Sequence, residues 1–310
     1  MSIDATPVSP IYRGRFAPSP TGQLHFGSLV AAVASYLQAR ANDGEWLVRI
    51  EDIDPRREVA GATDAILRSL DAHGFEYPTP LRQSSFLESY DEVIEGLLEN
   101  GLAYRCSCSR RTLQSSLNPG RAGSIYPGTC RPRTMDNTEH AISVRLRTTD
   151  ELLSFTDSLQ GTQNCRLERE IGDFLIRRSD GLVAYQLAVV IDDSRQNITE
   201  VVRGADLLDS TFMQIWLQKQ LNLATPKYMH IPVAIGQDGK KLSKQAGANE
   251  IETRNSVNNI YQAFVFLGQN PDARLRLATL DELWSWGQQN WQPRVLANLL
   301  TIPTSSLIGV

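Results

Sequence analysis

Four histidines occur in 310 residues, and one of them, His25, stands in the stretch RFAPSPTGQLHFGSL (residues 15–29) between a proline-locked turn and a long apolar run. Pro18 and Pro20 fix φ and Gly22 supplies a turn, so the chain leaves a strand-like start in a rigid shape. His25 then falls in the first turn of a helix, where free N–H groups and the macrodipole favour anions. An imidazole placed there can donate to a phosphate, and Gly27 on the next turn lets another group approach the backbone closely. An ordinary helix cap with a surface histidine would look the same on this stretch alone.

A second reactive cluster is GKKLSKQ, residues 239–245. The chain has five lysines (Lys219, Lys227, Lys240, Lys241 and Lys244), and three of them sit in this loop, bracketed by Gly236 and Gly239. Lys241 and Lys244 flank Ser243. Ammonium groups on a loop suit charge that develops during a reaction, such as a departing pyrophosphate. Basic loops also occur as plain surface.

Cys106, Cys108 and Cys130 cluster in one stretch, with Cys165 apart. In a reducing compartment such clustering suggests metal before disulfide. Zinc takes four tetrahedral ligands, so three thiolates need a fourth. By ligand chemistry His140 comes first and Cys165 second; free thiols in a loop are the bland alternative. Around them, Arg105, Arg110, Arg111, Arg121, Arg131, Arg133, Arg145 and Arg147 face only Asp136 and Glu139, on a chain of net charge −4. Such a basic subregion is either a docking surface for polyanions or a solvated face paired with acids elsewhere.

These residues need elements to hold them. IYRGRFA (11–17) reads as a strand, residues 24–42 as a helix stopped by NDG, EWLVRI (45–50) as a compact apolar strand, and about 56–72 as a helix stopped by HG. This alternation predicts a parallel α/β sheet with right-handed crossovers. A helix over about 87–100 leads into a turn-rich segment, 104–170, read as an inserted subdomain with short strands at AISVRL and LLSF. The α/β texture returns at GLVAYQLAVVIDD and NITEVVRG, followed by a helix over about 208–221, a buried strand at MHIPVAI and a mostly helical tail. At 41% hydrophobic the chain can bury a sizeable core in about two or three domains. No apolar run is long enough to span a bilayer, and the N-terminus has no apolar signal-peptide region, so a cytoplasmic protein is expected.

The proline turn with HFGS after the first strand, and KLSKQ after the last, resemble the HIGH and KMSKS signatures of class I aminoacyl-tRNA synthetases. FAPSPTGQLHFGSL, RIEDID and VVRGADLLDST look like the glutamyl and glutaminyl branch, and the resemblance runs from about residue 12 to 250. Ser28 replaces the second histidine of HIGH, Leu242 replaces Met, and Gln245 replaces the final Ser, while Lys244 is kept. Only 65 residues follow Gln245, where a full glutamyl-tRNA synthetase carries a longer part that reads the anticodon. The resemblance is therefore to the truncated paralogue family, the glutamyl-queuosine tRNA(Asp) synthetases.

That resemblance implies an α/β, Rossmann-like parallel sheet with an inserted zinc-bearing subdomain and a small helical C-terminal region. The expected division is 1–100 and 181–247 for the two halves of the catalytic domain, 101–180 for an acceptor-type insert, and 248–310 for a helical stem-contact-like region without an anticodon-binding domain. It implies tRNA-independent activation of glutamate with ATP and Mg²⁺, then transfer to queuosine at the wobble position of tRNA(Asp). His25 and Lys244 are the implied catalytic pair, with Gly27, Lys241 and Ser243 also on ATP. Arg15 and Arg203 are implied to hold the substrate carboxylate and Glu51 the α-ammonium. Tyr185 closes the pocket, and Phe16, Ala17, Pro18 and Ser19 line the turn. Asp192 and Asp193 either support the ribose or shape the sheet edge. For the structural zinc, the pattern Cys-x-Cys followed by Tyr-x-x-x-Cys implies Cys106, Cys108, Tyr126 and Cys130, with Tyr126 in place of His140. A monomer without membrane partners is expected. The alternatives are a conventional glutamyl-tRNA synthetase with a short tail, charging tRNA(Glu), and a non-catalytic zinc-dependent RNA-binding relative.

Overall fold

The computed structural model describes residues 11–113, 118–132, 142–236, 239, 241 and 251–304. The first unit is β1 (Arg13–Phe16), α1 (Phe26–Arg40) and β2 (Glu45–Ile50), with β1 and β2 parallel and Arg15 opposite Leu47. Helix α1 buries Phe26, Leu29, Val30, Val33, Tyr36 and Leu37 and so runs through the core instead of over it. It ends where Asp43 turns at φ 50, and a Cβ on Gly44 would lie 2.6 Å from the Tyr12 carbonyl oxygen. Only glycine fits that approach.

Helix α2 (Ala62–Ala72) starts later than the sequence expectation of about residue 56. Residues 56–61 are used differently: Val59 N–H donates to the Pro20 carbonyl at 2.9 Å, and Gly61 caps the helix at φ 76. The segment thereby braces the proline turn. Strand β3 (Leu81–Arg82) pairs parallel with β2, and α3 (Leu87–Glu99) follows.

Next come β4 (Ala103–Cys106), α4 (Arg110–Leu113), β5 (Asn118–Gly120), β6 (Gly123–Ile125), β7 (Ser143–Leu146), β8 (Leu152–Asp157), β9 (Gly161–Arg166), α5 (Leu167–Glu170) and β10 (Phe174–Arg177). Strands β10, β7 and β4 form an antiparallel sheet in that order, and β5 and β6 form a hairpin. The β8–β9 hairpin joins a different sheet, ordered β11-β12-β8-β9 once the later strands are in place.

Those strands belong to a second α/β run: α6 (Tyr185–Arg195), β11 (Glu200–Gly204), α7 (Ser210–Gln220), β12 (Lys227–Ile231) and β13 (Val233–Ile235). Strands β11 and β12 are parallel, and β12 meets β8 through the Tyr228–Asp157 pair. Helices α8 (Ser256–Phe266) and α9 (Leu280–Asn290) follow, and β14 (Thr301–Pro303) returns parallel to β13. Sheets β1-β2-β3 and β11-β12-β8-β9 abut where Thr199 N–H donates to the Arg13 carbonyl at 2.9 Å and Arg13 N–H to Thr199 Oγ1 at 2.8 Å.

One core cluster gathers β1, α1, β2, α8 and α9, with Tyr36 and Phe75 in ring contact with each other and each with Trp46 and Trp284. A second is built on α3, α6, α7 and strands β4, β7 and β10. A third is small: Tyr104, Cys106, Leu113, Tyr126 and Cys130, with Cys108 against it. Among the described residues no helix is long and apolar enough to cross a membrane.

Candidate active site and metal centre

A cavity of about 670 Å³ opens at the C-terminal ends of the parallel pairs β1–β2 and β11–β12, where their sheets abut. Crevices at such carboxyl edges are where ligands bind in open α/β sheets. Arg15, Phe16, Ala17, Pro18, Ser19, His25, Gly27, Glu51, Tyr185, Arg203 and Lys241 all line it. Ser243 and Lys244, as well as His140, lie outside the described residues.

His25 is the N-cap of α1, one residue before the first turn where the sequence reading put it, and Gly27 lies in that first turn instead of on the next. Its extended backbone (φ −110, ψ 169) lets Nδ1 accept from Ser28 N–H at 3.2 Å, with Nε2 3.1 Å from Ser28 Oγ. An accepting Nδ1 leaves the proton of the neutral ring on Nε2. The helix end is thus satisfied by the ring itself.

Arg15 is 3% exposed, and its Nε and Nη2 donate to Asp193 Oδ1 and Oδ2 at 3.0 and 3.1 Å. Arg49, fully buried, gives Nη1 to the same Oδ1 at 2.7 Å and places Nη2 3.6 Å from Glu51 Oε1. Burial pushes Asp193 up, but Arg15 and Arg49 outweigh it and hold the carboxyl below the usual range. Glu51 goes the other way. Burial outweighs Arg49 and Arg15 and pushes it up to about 7, and its buried Oε1 has no hydrogen-bond partner.

Arg203 donates from Nε to His230 Nε2 at 3.1 Å and from Nη2 to Thr211 Oγ1 at 2.8 Å, and Nη1 stands 3.5 Å from Tyr185 Oη. Among the described residues no carboxylate is in ion-pair contact with it. Tyr185 begins α6, and burial keeps its phenol protonated. Lys241 bridges to Ile235 through its backbone, and its ammonium pairs with Asp206 on the cavity wall.

Sequence reasoning missed Arg49, Arg57, Asp157, Asp206 and His230. Of the two roles given to Asp192 and Asp193, shaping a sheet edge does not hold, because both lie on helix α6. Asp193 clamps two arginines, while Asp192 accepts from Gln83 Nε2 and the Tyr90 hydroxyl at 2.8 and 2.7 Å. The signal was an acidic pair inside an apolar run, which needs buried cations somewhere.

The Sγ atoms of Cys106, Cys108 and Cys130 lie within 4.8 Å of one another. Tyr126 Oη is 3.4 Å from Cys106 Sγ and 3.5 Å from Cys108 Sγ, and Cys108 and Cys130 sulfurs are 3.4 Å apart. Four ligands of a tetrahedral zinc-type site would stand about 3.8 Å (S to S) and about 3.5 Å (S to O) apart. The donor set fits such a site. Arg145 lies 3.8 Å over the Tyr126 ring, and Cys130 N–H donates to Oη at 2.9 Å, both favouring negative charge on that oxygen. Cys165, the second choice for a fourth ligand on chemical grounds, is instead packed in the α3–α6–α7 core, where burial pushes its thiol up to about 11.

Residues 12–266 match the family described as tRNA synthetases class I (E and Q), catalytic domain. The Glutamyl-Q tRNA(Asp) synthetase of Ectopseudomonas mendocina (strain ymp) is 49% identical over 297 residues, covering 96% of this chain and 98% of that protein. The protein of the same name from Dechloromonas aromatica (strain RCB) is 50% identical over 284 residues, covering 90% and 94%. In fold, the chain is similar to a glutamate tRNA ligase from Elizabethkingia meningosepticum solved with its amino acid. The TM-score is 0.77 at 22% sequence identity, and the match covers 94% of this chain and 66% of that longer one. With a catalytic-domain match over most of its length and near-full-length relatives of one name, the chain belongs to the class I (E and Q) tRNA synthetases and, within them, to the glutamyl-Q tRNA(Asp) synthetases, and is a ligase.

Proposed function

We propose that the protein activates glutamate with ATP, without tRNA, to glutamyl-adenylate and pyrophosphate, and then transfers the glutamyl group to the queuosine base at the wobble position of tRNA(Asp). One observation carries the amino-acid half. Two buried groups of opposite sign line the same cavity with capacity to spare: Glu51 Oε1 stands 3.6 Å from Arg49 Nη2 but has no hydrogen-bond partner, and Arg203 has no carboxylate among the described residues. An acidic amino acid supplies both an ammonium and a carboxylate. Arg15, with one edge already on Asp193, offers its remaining edge to the same ligand. Tyr185 closes the wall, and the Ala17–Ser19 turn, tied down by Glu51 N–H on the Pro18 carbonyl at 3.0 Å, shapes the floor.

In the first step the glutamate α-carboxylate attacks the α-phosphate of ATP and pyrophosphate leaves. His25 donates from Nε2 to the triphosphate at the α1 N-terminus, beside Gly27, and the ammonium groups of Lys241 and Lys244, with Ser243, follow the charge on the departing pyrophosphate. Mg²⁺, when bound with ATP, neutralises phosphate charge. The protein's own part is positioning and charge stabilisation. In the second step a hydroxyl of the queuosine cyclopentene ring attacks the carbonyl carbon of the adenylate; an ester forms, the bond to phosphate breaks, and AMP leaves as the hydroxyl proton is lost. Residues 101–180 form the insert whose Cys106, Cys108, Tyr126 and Cys130 hold a structural zinc, and its arginines face the anticodon arm. The zinc supplies cross-links to a subdomain whose own buried cluster is small.

Two measurements test the reading. ATP–pyrophosphate exchange with glutamate alone should proceed at full rate without tRNA and be nearly lost in Lys244→Ala, while glutamate binding stays close to normal. Glutamylation should require queuosine-bearing tRNA(Asp). Transfer to tRNA(Glu) alone would overturn it.

A further inference from the structure

Arg203 is oriented by a neutral residue where an arginine in a buried site is usually oriented by an acid. Its Nε–H donates to His230 Nε2 at 3.1 Å, and His230 Nδ1 lies 2.6 Å from Asp157 Oδ2. His230 is wholly buried, Asp157 is 2% exposed and Arg203 6%. Asp157 is also the acceptor for three backbone N–H groups: Leu159 and Gln160 at 2.9 Å each on Oδ1, and His230 itself at 3.1 Å on Oδ2. Backbone N–H groups can only donate, so both carboxyl oxygens are committed as acceptors. The proton between Asp157 and His230 therefore sits on Nδ1, and the neutral ring presents Nε2 as an acceptor to Arg203. A charged ring would set Nε2–H against the Arg203 Nε–H. Burial, the largest influence, drives the His230 pKa down, and although burial pushes Asp157 up, its hydrogen bond from His230 and the backbone donors hold it below the usual range.

We propose that Asp157 and His230 are positioning residues: the dyad fixes the imidazole tautomer, the tautomer fixes the rotation of the Arg203 guanidinium, and that rotation sets affinity for the substrate carboxylate. With Nε on His230 and Nη2 on Thr211 Oγ1, the guanidinium can turn only one edge, Nη1, toward Tyr185 and the cavity. Asp157 is the last residue of β8 and the one residue through which that strand pairs with β12. The β8–β9 hairpin thus reaches the substrate arginine through a single carboxylate. The proposal rests on Arg203 binding the glutamate carboxylate.

Asp157→Asn is the informative change. A carboxamide keeps the size, but if its NH₂ faces His230 it forces the proton to Nε2, which then opposes Arg203. The glutamate KM in pyrophosphate exchange should rise roughly 10–100-fold, the effect of a small misplacement of a binding group, with the KM for ATP within about twofold of the parent. His230→Gln, whose Oε1 can still accept from Arg203, should retain more glutamate affinity than His230→Leu. Independently of activity, ¹⁵N spectra of the unaltered protein should show His230, assigned by its loss in His230→Gln, as the neutral Nδ1–H tautomer across about pH 6 to 8. An Nε2–H tautomer or a charged ring would overturn the proposal, and that spectrum decides the matter even if Asp157→Asn does not fold. A raised glutamate KM in Arg203→Ala together with a normal one in folded Asp157→Asn would remove the relay alone. A normal KM in Arg203→Ala would remove the reading of Arg203 itself, and the relay's effect on affinity with it.

Discussion

Asp193 takes the Nε and Nη2 edge of Arg15 on its two oxygens and shares Oδ1 with Nη1 of Arg49, so one carboxylate on α6 holds the cations of two neighbouring strands. All three side chains are less than a tenth exposed. Removing one partner from a buried ion network leaves uncompensated charge and costs about 3–5 kcal/mol. Asp193→Asn should therefore lower unfolding free energy by about that amount, read from the urea midpoint. It should also raise the glutamate KM, because Arg15 is no longer aimed. A loss under about 1 kcal/mol would mean that the clamp contributes little.

Glu51 predicts a pH dependence. Its folded pKa is raised to about 7 from an ordinary 4.5, so the unliganded carboxyl gains its charge only above neutrality. An ammonium needs the charged form. The glutamate KM should fall as pH rises through about 7 and climb by up to about tenfold per unit below it. Between the two pKa values the native state binds the extra proton, so this group makes the free protein less stable as pH rises through that window. Glu51→Gln should raise the KM and flatten its pH profile. A KM that is flat from about pH 6 to 8 in the parent would contradict the assignment.

The proposed metal centre is open to direct measurement. Cys108→Ser should lower bound zinc, read by atomic emission, and lower Tm by roughly 5 °C or more as the small insert cluster loses its cross-link. Tyr126→Phe removes the one oxygen donor while keeping three sulfurs, and should weaken metal retention against a chelator. Full zinc occupancy in Cys108→Ser would strike that residue from the ligand set.

Trp284 ties the C-terminal helices to the first α/β unit. It donates from Nε1 to the His73 carbonyl at 2.9 Å and meets Tyr36 and Phe75 at ring-centroid distances of 4.8 and 5.0 Å. Trp284→Ala should destabilise the protein by about 3–5 kcal/mol, with the glutamate KM nearly unchanged in what remains folded. A melting curve like the parent's would show that the tail packs only loosely on the core.

Much of the frame can be read without coordinates. The strand–turn–helix of residues 13–40 is legible because proline and glycine chemistry is local and because α1 carries apolar residues at helical spacing. The later start of α2 is not, since the donor that diverts residues 56–61 from helix is Val59, and its acceptor, the Pro20 carbonyl, is remote in sequence. His25 was misjudged by one residue for a similar reason: a ring that caps its own helix is a matter of rotamer, which periodicity does not report. The cavity-lining residues Arg15, Glu51, Tyr185 and Arg203 could be chosen only by resemblance, because a buried arginine and a surface one are the same letter.

The strand–helix–strand order of residues 13–50, the proline turn before α1 and the presence of three clustered thiols follow from the sequence itself, since each depends on residues within a few positions of one another. Tertiary structure decided the rest: which acid faces which arginine, that β8 pairs with β12, and that His230 stands between Asp157 and Arg203. Those contacts join positions far apart in the chain, and burial sets their energies. A pattern of side chains reports which face is inward, but a carboxylate's charge and a histidine's tautomer depend on what is met there.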